Sequence, residues 1–236
     1  MNALAYEVKS KRANSFVCVG GHVYSSEPIE VVIGSRSLTL LRVKDLERLV
    51  DREALLRDDT EEPPYWAHLW TGALTLARYI DSFIDIRDQT VLDLGCGLGL
   101  TGIVAAQKGG RVTFADKEAG AVSFARQNAR LNGCAQYEVQ QLDFTQDILE
   151  TDFSLILGAE ILYDRPTFPA LARFLATHLS PTGRAVLADA KRTNTQDFYQ
   201  QLDRSGLRWT QEEVCEREDH LPLPVVIVTI QRGEGG

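Results

Sequence analysis

The spacing of apolar positions changes character after the first third of the chain. Residues 15–19 and 29–43 are rich in β-branched side chains, and Gly34-Ser35 breaks the second stretch as a hairpin turn. Residues 43–50 carry apolar positions three and four apart and read as a helix. Residues 58–64 are acidic, end in two prolines and read as a loop. That loop divides the chain into an N-terminal extension, 1–62, packed on a domain spanning 63–236.

Beyond the loop, strand and helix patterns alternate. Residues 68–84 place Leu69, Ala73, Leu76, Ala77, Ile80 and Ile84 on one helical face. Strands are expected at 90–94, 111–115, 137–140, 153–157 and 184–188. Helices are expected at 100–107, 119–131, 166–179 and 196–204, the third of these starting with a proline. Residues 207–214 and 224–230 close the chain as two antiparallel strands. The alternation predicts a Rossmann-like, doubly wound, mostly parallel seven-stranded α/β sheet with an antiparallel strand near the C-terminus, preceded by the β-rich extension. In such sheets ligands sit beyond the carboxyl ends of the strands, where the strand order reverses.

Composition narrows the partners. The 236 residues include 25 Lys plus Arg and 33 Asp plus Glu, a formal charge of −8. An acidic chain is poorly suited to a phosphate backbone, so nucleic acid is not expected as a partner. No apolar run is long enough for a membrane span and no basic-then-apolar leader opens the chain, so a cytoplasmic location is expected. Cys18, Cys96, Cys134 and Cys215 form no Cys-x-x-Cys pair and the four histidines lie far apart, which speaks for reduced thiols and no metal site.

The candidate chemistry lies at the predicted strand ends. Asp93-Leu94-Gly95-Cys96-Gly97-Leu98-Gly99 follows the first strand of the alternating region, and its glycines permit a tight turn with close backbone approach to a ligand. The spacing of Gly97, Gly99 and Gly102 also satisfies a dinucleotide fingerprint. Yet Asp93, Asp116, Asp143, Glu160 and Asp164 all follow strands, with only Lys117 to offset them. A pyrophosphate would be repelled there, whereas a ligand with an ammonium and a sulfonium would be attracted. S-adenosylmethionine has both, and a ribose diol that an acid after the second strand can bind.

These segments resemble motifs of the class I, seven-β-strand methyltransferases. Residues 91–99 look like the first motif, Phe114-Ala115-Asp116-Lys117 like the second, and Gln141-Leu142-Asp143-Phe144 like the third. The resemblance implies that Asp116 holds the ribose, that Asp143 reaches the adenine amino group and that Phe144 packs on the base. Residues 64–72 and 158–164 are further similar to the protein-lysine methyltransferase branch that includes the enzyme of the electron-transfer flavoprotein β-subunit. Its acid-x-x-Tyr signature is filled by Glu160-Ile161-Leu162-Tyr163, and Asn128 and Asn132 fit the helix after the second motif. The resemblance implies a cofactor-contacting set of Trp70, Asp93, Gly95, Gly97, Asp116, Lys117, Asp143, Phe144 and Ala159.

A lysine side chain of a protein is the expected methyl acceptor. Glu160 is expected to orient the amine, with service as its base an alternative, and Tyr163 to line the pocket. Trp66 and Trp70 read either as packing at the start of the helix or as ligand contacts. Rival readings are a small-molecule N- or O-methyltransferase, a dinucleotide oxidoreductase and a non-catalytic module on the same fold.

Overall fold

The computed structural model of the protein describes residues 9–10, 15–19, 22–44, 64–191, 193–218 and 221–233. Of the helix expected at 43–50, Val43 instead ends a strand and Lys44 follows in a turn, and 45–50 lie outside these residues, as do the boundary and residues 58–63 of the expected loop. Four strands come first: β1 (Lys9–Ser10), β2 (Ser15–Val19), β3 (His22–Ile33) and β4 (Arg36–Val43). β3 is the antiparallel partner of each of the others, and Gly34 makes the β3–β4 turn with φ of +57°.

The remaining elements alternate: α1 (Thr71–Phe83), β5 (Thr90–Leu94), α2 (Leu100–Gln107), β6 (Arg111–Asp116), α3 (Ala119–Leu131), β7 (Tyr137–Gln141), β8 (Phe153–Ala159), α4 (Phe168–His178), β9 (Leu179–Asp189), α5 (Gln196–Arg204), β10 (Leu207–Glu218) and β11 (Leu221–Arg232). Seven strands form one sheet in the order β10-β11-β9-β8-β5-β6-β7. β5 pairs in parallel with β6 and β8, and β11 runs antiparallel to both β9 and β10. β5 reads Thr-Val-Leu-Asp-Leu and buries its last four residues, as a strand covered on both faces must.

Each face of the sheet has its own core. α1, α2 and α3 cover one face with Leu76, Ile80, Ile103, Val104 and Ala125, and Ile29, Val31, Leu38 and Leu40 of the N-terminal sheet belong to the same buried cluster. α4 and α5 cover the other with Leu171, Leu175, Phe198 and Leu202.

α1 starts at Thr71, three residues later than its periodicity predicts. Tyr65–Ala67 instead form a single 3-10 turn, and Trp70 is extended with ψ of 148°. The Trp70 indole N–H donates to the Tyr65 carbonyl at 2.8 Å and holds this bend. β10 and β11 are longer than their apolar patterns because their tips pair with each other beyond the last β9 contact, at Asp189↔Val226. No helix among the described residues is long and apolar enough to cross a membrane.

Candidate active site

A cavity of about 540 Å³ opens over the carboxyl ends of β5, β6, β8 and β9, where the strand order reverses. The volume is in the usual range of small-molecule sites. Its floor is the turn after β5. Gly95, Gly97 and Gly99 have φ of +65°, +51° and +83°, conformations that side-chained residues adopt at a cost. The turn also runs close beneath its neighbours. A Cβ on Gly95 would stand 2.6 Å from Ile161 Cγ2, and one on Gly97 3.1 Å from the Trp66 carbonyl.

Trp70, Gly95, Gly97, Asp116, Lys117, Asp143, Phe144, Ala159, Glu160 and Tyr163 all line the cavity, so the structure gathers these expected residues in one place. Asp93 stands behind the wall. It is 1% exposed, accepting from Thr101 Oγ1 at 2.5 Å and from the Gly102 amide at 2.9 Å. Gly102 has no Cβ to keep that oxygen away, so Asp93 braces the start of α2 against the turn. Burial raises its pKa to about 7, against the lowering by those two donors.

The acids on the β6 and β7 side are held by nearby residues. Asp116 accepts from the Gly97 and Glu118 amides, both at 3.0 Å, and burial raises its pKa despite them. Asp143 accepts from the Thr145 amide and hydroxyl and from Gln146 Nε2. Partial burial pulls Asp143 upward, but these donors and the Lys117 ammonium outweigh it and leave its pKa lowered.

Glu160 is held by distant segments. Its Oε1 accepts from the Gly72 amide in the first turn of α1 at 3.0 Å, and its Oε2 from the Ala190 amide just after β9 at 3.3 Å. The first contact adds a carboxylate to the positive end of the α1 dipole. Gly72 leaves room for it: a Cβ there would stand 2.6 Å from Oε1. Glu160 itself is left-handed, with φ of +56°.

Aromatic rings form the mouth. Tyr65 lies 6.2 Å from Trp70 and 5.9 Å from Tyr163, centroid to centroid, and Lys117 Nζ sits 6.0 Å above the Tyr163 ring. Both tryptophans line the cavity, but their rings differ in surroundings. The Trp70 indole is held to the Tyr65 carbonyl at the mouth, while the Trp66 indole packs toward the N-terminal sheet, edge-on to Tyr24 and over Gly120.

Sequence reasoning missed Tyr65, His68, Glu118 and Asp189, all of which line the cavity. Asp189 ends β9, so the strand-end rule that picked out the other acids could have found it. Among the described residues, six lining carboxylates, from Asp116, Glu118, Asp143, Glu160, Asp164 and Asp189, face one lysine, Lys117. No group of three metal-binding side chains occurs among the described residues.

A parallel sheet with this turn and acid set defines an α/β nucleoside-cofactor protein. The comparisons specify it further: a family model described as lysine methyltransferase matches residues 51–205, and the chain belongs to that family. The chain is 34% identical over 143 residues to EEF1A lysine methyltransferase 3 of Mus musculus, covering 58% of this chain and 61% of that protein. It is 32% identical over 150 residues to protein N-lysine methyltransferase METTL21A of Xenopus tropicalis, covering 61% and 69%. It is 34% identical over 129 residues to the electron transfer flavoprotein beta subunit lysine methyltransferase of Mus musculus, covering 52% and 49%.

Among the solved structures that share the fold are two methyltransferases. A TehB-like SAM-dependent methyltransferase from Corynebacterium glutamicum superposes with a TM-score of 0.56 at 21% identity, covering 79% of this chain and 97% of that one. Magnesium protoporphyrin IX methyltransferase from Synechocystis PCC 6803, with bound SAM, superposes with 0.56 at 19%, covering 67% and 77%.

Proposed function

We propose that the protein transfers a methyl group from S-adenosylmethionine to a lysine side chain of a protein. The observation that carries this reading is the charge of the cavity, six carboxylates against one lysine among the described residues. Such a site attracts both a cationic donor and a cationic acceptor, and it repels the pyrophosphate of a dinucleotide. The lysine methyltransferases named among the relatives support the choice of acceptor.

The residues present fit the cofactor. The left-handed glycine turn brings bare backbone to the cavity floor, and Asp116 follows it where a ribose diol can be bound. Asp143 and Phe144 would take the adenine, with Trp70, Lys117 and Ala159 completing the walls. When bound, S-adenosylmethionine supplies an electrophilic methyl group on a positively charged sulfur.

The chain supplies position and charge. Tyr65, Trp70 and Tyr163 offer ring faces to an incoming ammonium, an attraction of about 0.5–2 kcal/mol depending on desolvation. Both Glu160 oxygens already accept a backbone N–H, which suits the residue to orienting the amine from a fixed position. The amine's proton leaves to water at the open mouth. Alignment of amine and methyl group then accounts for most of the rate.

A cytoplasmic location is part of the proposal, in keeping with the free thiols Cys18, Cys96, Cys134 and Cys215. So is the division at residue 63, with the N-terminal strands acting as a brace for the domain behind them.

The test is incubation of lysate with the protein and methyl-labelled S-adenosylmethionine, followed by gel separation and acid hydrolysis of labelled bands. Methyl-lysine from a discrete band supports the reading. Label confined to small molecules points instead to a small-molecule methyltransferase, and label at another residue type refutes lysine.

A further inference from the structure

Asn128 and Asn132 lie one helical turn apart on α3, and both side chains face the outer edge of β4. Asn128 Oδ1 accepts from the Leu41 amide at 2.7 Å, and its Nδ2 donates to the Leu41 carbonyl at 3.1 Å. Asn132 does the same to Thr39, at 3.0 and 2.8 Å. Four residues of helix rise about 6 Å, close to the roughly 6.7 Å spanned by two residues of strand. The two amides therefore act as two rungs of an extra strand beside β4.

The pair differs in where the second N–H of each amide points. In Asn132 it returns to its own helix, donating to the Asn128 carbonyl at 2.8 Å. In Asn128 it crosses to the glycine turn and donates to the Leu98 carbonyl at 2.9 Å. Leu98 is the side-chained residue between Gly97 and Gly99, both left-handed. Its own side chain is buried in a cluster with Val17 and Val43 of the N-terminal sheet and Phe124 of α3. The floor of the cavity is thus fastened at Leu98, by its carbonyl to Asn128 and by its side chain to the N-terminal strands, in addition to the bond from the Gly97 amide to Asp116.

We propose that Asn128 is a positioning residue that transmits the placement of β4 to the glycine turn and thereby sets the pose of the cofactor-binding floor. The link to the cofactor rests on the function proposed above; the link to the turn does not. Asn132 is its internal control, because it makes the same two bonds to β4 and none to the turn.

The experiment measures amide hydrogen exchange across residues 94–102 in the full chain without ligand, for wild type, Asn128→Ala, Asn128→Asp and Asn132→Ala. Asn128→Asp keeps the shape and the acceptor for Leu41 but, when ionised, has no N–H for Leu98. Both Asn128 variants are expected to speed exchange of the turn by about tenfold, while Asn132→Ala changes it by less than about twofold. Calorimetry with S-adenosylhomocysteine is expected to show about tenfold weaker binding in the Asn128 variants only.

Equal loosening of the turn in Asn132→Ala and Asn128→Ala, or none in either Asn128 variant, overturns the proposal. Failure of the wild type to bind S-adenosylhomocysteine removes the cofactor reading, and the exchange ratio still decides the coupling to the turn. If neither Asn128 variant folds, the wild type decides by nuclear magnetic resonance. On S-adenosylhomocysteine binding the Asn128 side-chain amide is expected to gain protection and that of Asn132 is not. An equal response, or none at Asn128, counts against the coupling.

Discussion

The two sides of the cavity hold their carboxylates in different ways. On the β6 and β7 side, Asp116 and Asp143 take donors from within a few residues, with Gly97 the most distant at 19 positions. On the β8 and β9 side, Glu160 takes one donor from 88 positions away and another from 30. Asp116 is fixed by its own loop and the glycine turn, and Asp143 by its own loop alone. Glu160 joins α1 to the end of β9, so its pose depends on how three elements pack. The β6 and β7 side is therefore suited to affinity, and the β8 and β9 side to alignment.

The largest expected effect comes from breaking the joint. In Gly72→Ala the new Cβ meets Glu160 Oε1 at 2.6 Å, although alanine in a helix is otherwise about 1 kcal/mol better than glycine. Turnover is expected to fall about a hundredfold through misplacement alone, with cofactor affinity little changed. Single-turnover methyl transfer beside a calorimetric titration checks this, and an equal loss in both would erase the contrast between the two sides.

Asp116→Ala is the opposite probe. It is expected to weaken S-adenosylhomocysteine binding by about 1–3 kcal/mol, the scale of hydrogen bonds to a charged group. Its effect on turnover at saturating cofactor should be small, and an unchanged dissociation constant would remove Asp116 from the cofactor site.

Glu160→Gln keeps the size but replaces one acceptor oxygen with an NH2 that faces a backbone N–H. Turnover is expected to drop about tenfold, or ~1.4 kcal/mol of barrier. Affinity should move less, as a titration of the same variant will show. Turnover equal to wild type would hand the orienting role to Tyr163 or Asp164.

The smallest effect is on stability and concerns Asp93. Its folded pKa of about 7 lies above the ordinary 3.8. Between these values the folded chain keeps a proton that the unfolded chain has released. The contribution is therefore complete below 3.8 and is lost as pH rises through about 7. In Asp93→Asn an oxygen still meets the Gly102 amide and an N–H meets the Thr101 hydroxyl, with no charge to bury. Its melting temperature is expected to fall less than that of wild type between about pH 5.5 and pH 8.5. Parallel curves would show that Asp93 does not titrate in that window.

The contrast also explains what could be read from the sequence. The alternation of strands and helices, the glycine turn and Asp116 and Asp143 follow from short segments whose partners are close in the chain. Asp93 was legible as a strand-end acid but not as a brace, because its direction depends on the missing Cβ of Gly102. The late start of α1 escaped periodicity because one indole-to-carbonyl bond sets it. Asn128 was legible as a residue that fits the helix after the second motif but not as a link: its partners Leu41 and Leu98 lie 87 and 30 residues away, and only folding brings them together.

Glu160 occupies a left-handed backbone conformation that costs a non-glycine residue about 1–3 kcal/mol. Glycine would relieve it, at the price of losing the carboxylate that ties α1 to β9. Random mutagenesis screened only for heat resistance would thus weigh a relaxed backbone against two lost hydrogen bonds, whereas a screen for methyl transfer would keep the acid. Asparagine, which tolerates this conformation but is too short to span both amides, should separate the two selections most clearly.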